Sequence, residues 1–203
     1  RVNLVPQHYA LSELLIILVA LWTARVQWRL NLPYSAIGIL LFGVAASLGA
    51  LRFGLSLGDN WVPPHQFASQ FGGLVGLMAL AHQLLRVSPV TQNLALSHLI
   101  LAAVASVVSF VIPPARVPLF LLWSLILIYL AARQTPLNPQ PALFKAALAA
   151  IMLVNLLVLR QASWLSPALS WHAFHVGVAL WLLAMHMLVS TGRLRSAPGP
   201  VQA

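Results

Sequence analysis

Three histidines in one apolar stretch are the side chains of this sequence best suited to chemistry. They are His172, His175 and His186, within SWHAFHVGVALWLLAMH at positions 170–186. At about 100° of rotation per residue, His175 lies about 60° and His186 about 40° from His172, so a helix carries all three on one face. Histidine within a membrane helix is costly and usually points into the bundle interior, which makes this face the leading functional candidate.

The composition is that of a membrane protein. Of the 203 residues, 61% are hydrophobic and only 6% are charged, which a soluble domain with a solvated surface does not tolerate. The net charge of +9 comes from single, scattered Lys and Arg residues rather than a basic face, so no nucleic-acid partner is expected. The chain has no cysteine, so a metal would need His, Asp or Glu ligands.

Apolar runs bounded by Pro, Asn or Arg predict an all-α, polytopic integral membrane protein, a bundle of seven transmembrane helices. The predicted spans are Tyr9 to Trp28, Tyr34 to Phe53, Gln66 to Leu85, Leu94 to Ile112, Pro118 to Arg133, Ala142 to Arg160 and Pro167 to Ser190. Residues 1–195 form the single transmembrane domain, and residues 196–203 are a short disordered tail. Gly72 and Gly76 predict a close helix crossing on the third span.

An odd number of spans sorts the polar residues by membrane side. His8, Glu13, Asp59, His65, His172 and His175 belong to the N-terminal side, and His82, His98 and His186 to the other. On the N-terminal side, His172 and His175 could bind one ion, most simply zinc, with His65 as the third nitrogen ligand. Asp59 or Glu13 would then orient a ligand or accept a proton from bound water.

The same residues also allow readings without a metal. Glu13 would pair with Arg1 or with a histidine of the seventh span, and the inner histidines would bond to backbone or to Gln83. A single haem between His82 or His98 and His186 is a weaker alternative, because no two spans offer histidine pairs in matching phase and depth. A retinal protein is disfavoured, because the single lysine, Lys145, lies at the end of a span.

Two segments carry a resemblance to a known superfamily. AASLGALRFGLSLGDNWVPPH at 45–65 and WHAFH at 171–175, in a short-looped seven-span chain, resemble the alkaline ceramidases and progestin/adiponectin receptors. The resemblance implies zinc held by His172 and His175, with Ser47 and Asp59 placing the attacking water. The sequence departs from the pattern where the family has a helix-two histidine, since that position is Leu51 here, and the final pair is spaced HxxH rather than HxxxH.

The expected function is therefore metal-assisted hydrolysis of a lipid amide or ester. The ion would polarise the carbonyl and activate water, Asp59 would accept the proton, and Ser47 would assist the developing oxyanion. Membrane lipids are the expected partners and substrates. The competing hypothesis is a non-catalytic module, structural or b-haem-binding, that packs as a homo-oligomer or in a larger membrane complex.

The basic residues predict the orientation of the chain in a bacterial inner membrane. The side reached after the odd-numbered spans carries seven Lys and Arg residues and the other side four, which favours an external N-terminus and a cytoplasmic C-terminus. A reporter fused after Arg195 is expected to be accessible only from the cytoplasm. Labelling of that reporter from the outside would show that the predicted orientation is reversed.

Overall fold

The computed structural model describes residues 6–87, 91–134 and 140–194. These residues are helical, with no β-strand among them, and six of the helices are long and apolar enough to cross a membrane. Hydrocarbon offers no hydrogen-bonding partner to the backbone, which favours this all-helical solution. The structure therefore fits an integral membrane protein. The predicted tail at 196–203 lies outside the described residues.

The helices follow in chain order, and we number them α1 to α8. Their bounds are α1 Tyr9–Arg29, α2 Pro33–Gly54, α3 Val62–Phe67, α4 Gly73–Val87, α5 Ala95–Val111, α6 Arg116–Ala132, α7 Ala142–Val154 and α8 Pro167–Leu194. A π-helix at Ala68–Gly72 joins α3 to α4 without a break, and another at Asn155–Leu159 extends α7. Short 3-10 helices, at Asp59–Trp61, Gln92–Leu94 and Pro113–Ala115, precede α3, α5 and α6.

Proline and left-handed turns mark the ends of the helices. Pro33 and Pro167 are the first residues of α2 and α8, where a missing N–H costs nothing. Asn31 and Ser56, with φ of 56° and 50°, turn the chain after α1 and α2. Left-handed residues of this kind commonly end a helix. The tight turn at Asn31 packs α2 directly against α1.

Six helices form a closed ring with α5 outside it. In order around the ring, α1 contacts α2, α2 contacts α4, α4 contacts α6, α6 contacts α7, α7 contacts α8, and α8 returns to α1. The helix α5 rests mainly against α4. Burial is greatest along α8, where 61% of the apolar window is buried, and least along Gln92–Val111, where 17% is.

Trp181 of α8 fills the space between the helices and is fully buried. Its ring meets Phe42 of α2 at a centroid distance of 5.2 Å. Its indole Nε1 donates a hydrogen bond to the Ala149 carbonyl of α7, at 3.1 Å. A buried indole needs such an acceptor, so this bond fixes α8 against α7.

The helices α2 and α4 cross closely at two glycines. A Cβ atom on Gly38 would lie 2.7 Å from the Gly76 carbonyl oxygen, and a Cβ on Gly76 equally close to that of Gly38. The predicted crossing is thus present at Gly76, whereas a Cβ on Gly72 would meet only the Leu41 carbonyl, at 3.8 Å. Small residues on both helices allow their backbones to touch.

We expect Gly38→Ala to lower the stability of the bundle by about 1–3 kcal/mol, because the new methyl group meets backbone rather than a movable side chain. Thermal unfolding in detergent measures this change. Gly54→Ala is the control, since its Cβ would find Ala10 at an ordinary 3.6 Å. Equal stability of both variants would show that the crossing is looser than described.

Candidate functional site

A buried carboxylate on α1 is the centre of the polar residues on the N-terminal side. Glu13 is 1% exposed, although it lies little more than one turn from the start of the helix. Its Oε1 atom lies 3.3 Å from Nε2 of His175 on α8 and 3.6 Å from Nε2 of His65 on α3. Three helices that are distant in sequence therefore each contribute one ionisable group.

Gly49 of α2 provides the space for this group. A Cβ atom at that position would overlap the Glu13 carboxyl group and lie 2.9 Å from His65 Nε2. Any larger residue would push the carboxylate or the imidazole away. The glycine thus permits α2 to pass directly behind the cluster.

The orientation of His175 is set by its own helix. Its Nδ1 donates a hydrogen bond to the Trp171 carbonyl one turn earlier, at 2.7 Å. Its ring also stacks on the Trp171 indole at a centroid distance of 4.3 Å. With Nδ1 used as the donor, Nε2 is the nitrogen that faces Glu13, and in neutral imidazole it carries the lone pair.

Aromatic rings form a wall beside the cluster. Tyr9 stacks on Trp171 at 5.0 Å, and Phe53 meets Trp171 edge-on at 4.9 Å. Phe53 also lies edge-on to His65 at 5.9 Å, with the Arg52 guanidinium 4.9 Å above it. This packing limits water around the carboxylate and raises the cost of leaving its charge uncompensated.

Polar atoms without partners gather at this wall. Glu13 Oε1, Arg52 Nε and Trp171 Nε1 are buried, and none has a hydrogen-bond partner among the described residues. A buried polar atom left unpaired costs on the order of 1–3 kcal/mol. Of the three atoms, Glu13 Oε1 still faces two imidazole nitrogens, at 3.3 and 3.6 Å.

His172 belongs to a different set of contacts from His175. Its Nε2 lies 3.0 Å from His8 Nδ1, and its Nδ1 lies 3.1 Å from the Ser12 hydroxyl. Ser12 donates its own proton to the Tyr9 carbonyl, so it accepts from His172 Nδ1, and His172 Nε2 then accepts from His8. Both nitrogens of His172 are engaged in tying the start of α1 to α8.

The remaining predicted site residues lie outside this cluster. Ser47 donates its hydroxyl proton to the Gly43 carbonyl of its own helix, at 2.8 Å. Asp59 is exposed at the start of the 3-10 helix that precedes α3. Of the residues that the sequence placed on zinc, His65 and His175 meet at Glu13, and His172 does not join them.

The zinc site expected from the resemblance does not fit this arrangement. Among the residues that the structure describes, no group of three or more His, Asp or Glu side chains could hold a metal ion. His172, one of the three predicted ligands, has both ring nitrogens in other hydrogen bonds. The zinc hypothesis remains a prediction, and no reaction step below depends on it.

The histidines of the opposite side form two separate groups. His82 and His98 lie with their rings 5.6 Å apart, and His98 Nε2 accepts a hydrogen bond from the Trp123 indole at 3.2 Å. His186 instead lies beside Gln27 of α1, with 3.5 Å between its Nδ1 and the amide nitrogen. The haem hypothesis places a haem between His82 or His98 and His186, and no contact among the described residues supports it.

The sequence predicts Glu13 as a ligand orienter, or as a partner of Arg1 or of a seventh-span histidine, and the structure shows it beside His175 of α8. Gly49 and the Trp171 carbonyl were missed altogether. The available signal was that Glu13 is one of two acidic residues in the chain and the one inside an apolar span.

Comparison with known proteins adds no relative to this description. No protein-family model, curated protein or solved structure matches the chain. The functional conclusion therefore depends on the residues themselves.

We expect Gly49→Ala to displace Glu13 and to lower stability by about 1–3 kcal/mol, even though alanine favours a helix over glycine by about 1 kcal/mol. Thermal unfolding of the purified protein in detergent measures the effect. The matched double variant Gly49→Ala/Glu13→Ala should recover part of the loss, because the carboxyl group that the methyl meets is gone. If the double variant lost as much stability as the two single variants together, that result would contradict the described contact.

Proposed function

We propose that this chain is an integral membrane enzyme that hydrolyses an ester or amide bond of a lipid, with Glu13, His65 and His175 as its acid–base group. The observation that carries the proposal is the buried Glu13 carboxyl, whose Oε1 atom lies 3.3 and 3.6 Å from the Nε2 atoms of two imidazoles. Ionisable groups inside an apolar bundle are rare, and by default they mark function.

The contact between Glu13 and His175 implies a shared proton. Nδ1 of His175 is committed to the Trp171 carbonyl, so a neutral imidazole would turn a lone pair toward the carboxylate oxygen. Two lone pairs at 3.3 Å repel, whereas one added proton converts the contact into a charge-assisted hydrogen bond. The pair is therefore equipped to store a proton and to release it.

Hydrolysis uses this capacity in two steps. In the first, the carboxylate–imidazole pair takes a proton from a water molecule as its oxygen bonds to the substrate carbonyl carbon. In the second, the same pair returns a proton to the leaving oxygen or nitrogen as its bond to that carbon breaks, giving a fatty acid and an alcohol or amine. A positioned acid–base group of this kind contributes typically 10²–10⁴-fold to the rate.

The surroundings support a lipid substrate. The outer faces of the helices are rich in exposed leucine, valine and phenylalanine, which contact acyl chains in a bilayer. The aromatic wall of Tyr9, Phe53 and Trp171 beside Glu13 is apolar enough to receive a chain near its headgroup. Ser47 and Asp59 have no step in this mechanism, because neither is described in contact with the cluster.

We infer that residues 62–87 form a seventh span. Three consecutive helical segments of 6, 5 and 15 residues run through this stretch, which is long enough for a bilayer core of about 30 Å. Its second part, α4, occupies a place in the ring between α2 and α6. For the orientation, an external N-terminus and a cytoplasmic C-terminus in a bacterial inner membrane, the support is the distribution of basic residues.

The proposal is tested by incubating the purified protein in lipid nanodiscs with phospholipid and ceramide and measuring released fatty acid by mass spectrometry. Glu13→Gln and His175→Gln are expected to lower the rate by about 100-fold or more, since each removes a proton-carrying group. His172→Gln is the matched control. It changes the same residue type on the same helix, and we expect it to retain most of the activity.

Thermal unfolding of each variant separates loss of activity from loss of fold. Wild-type activity in Glu13→Gln would overturn the acid–base role. Metal analysis of the active protein, together with the effect of a chelator, decides between this mechanism and the zinc-dependent form. If no lipid in the panel were hydrolysed, and Glu13→Gln changed only the stability of the protein, the non-catalytic module would be favoured.

A further inference from the structure

A cavity opens at the end of the bundle opposite Glu13. It has a volume of about 370 Å³ and lies where α1 ends, α2 begins and α4 ends. Its lining includes Trp28, Asn31, Tyr34, Gln83 and Arg86. The lining contains no acidic residue, and the cavity has the size of a small-ligand cleft.

Arg86 is the charged group of this cavity, and Tyr34 holds it in place. The guanidinium Nη1 donates to the Tyr34 hydroxyl at 3.1 Å, and its carbon lies 5.3 Å from the centre of the same ring. In the described part of the chain, Arg86 forms no ion pair with a carboxylate. A guanidinium has five N–H donors, and this contact uses one, which leaves a planar set of donors for an anion.

Neutral donors surround the guanidinium. Gln83 is 3% exposed, and its Oε1 accepts the backbone N–H groups of Tyr34 and Ser35, at 3.2 and 3.5 Å. That use of the oxygen fixes the amide orientation and turns the NH₂ group into the free end of the side chain.

We propose that this cavity binds a phosphate group at the membrane surface, through Arg86 with the help of Gln83. A planar, bidentate donor set without acidic neighbours is suited to phosphate oxygens. The depth agrees with a phospholipid headgroup, since helix ends line the cavity and Trp28 is 60% exposed, as in an aromatic belt. The same chemistry would accept free inorganic phosphate, and experiment separates these two sources.

The test is native mass spectrometry of the full chain released from micelles that contain dioleoyl-phosphatidylglycerol and dioleoyl-phosphatidylcholine. Wild type is expected to retain one phosphatidylglycerol. Arg86→Gln should bind it about tenfold or more weakly, because a hydrogen bond to a charged group is lost. Tyr34→Phe should weaken binding less, since it keeps the ring and removes only the hydroxyl that positions Arg86.

Arg25→Gln is the matched control, because Arg25 is exposed near the same end of α1 and does not line the cavity. Thermal unfolding and Arg86→Lys, which keeps the charge, guard against a folding defect. Displacement of the lipid by millimolar inorganic phosphate, with direct phosphate binding lost in Arg86→Gln, would assign the site to free phosphate. Equal retention of phosphatidylglycerol by wild type and Arg86→Gln would overturn the proposal.

Discussion

A carboxylate buried in an apolar bundle constrains everything around it on the N-terminal side. Transfer of an unpaired charge out of water costs several kcal/mol even after relaxation, so Glu13 requires a proton or a cationic partner in the folded state. His65 and His175 approach its Oε1 atom from two other helices, at 3.6 and 3.3 Å. Gly49 leaves space for the Glu13 carboxyl group, and the Trp171 carbonyl orients the imidazole of His175. The positions of α1, α2, α3 and α8 at this end are therefore coupled through one side chain.

Part of this arrangement could be predicted from the sequence, because helix count and span order fix depth. An odd number of spans placed His8, Glu13, His65, His172 and His175 at one end, and the structure brings His8 to His172 and Glu13 to His175. What depth cannot fix is rotation. His172 and His175 lie about 60° apart on α8, which is enough to send one toward the start of α1 and the other toward Glu13. The two histidines share one face of α8, which suggested a common ion, but this face is wide enough for each to make a separate set of contacts.

In the fold as well, the sequence pattern determines where the helices lie along the chain, and packing determines which helices become neighbours. Apolar length and proline located the helices to within a few residues, because both act on the local backbone. The identity of Gly38 as the partner of Gly76 depends on which helices become neighbours, and that follows from tertiary packing. Lys145 illustrates the same limit. The sequence places it at the end of a span, yet it is fully buried, with its amine donating to the Gln134 carbonyl.

One polar end of the bundle contains a buried carboxyl group and the other a guanidinium, and an apolar core separates them. Glu13 and Trp28 are fifteen residues apart on α1, which corresponds to about 22 Å along the helix. Between these ends lie the buried rings of Phe42 and Trp181 and the close crossing of α2 with α4. Substitutions more than about 10 Å apart without shared partners are usually additive, so changes at the Glu13 cluster and at Arg86 should act independently. The carboxylate at one end of the bundle and the guanidinium at the other can thus be altered separately, each with its own neighbours.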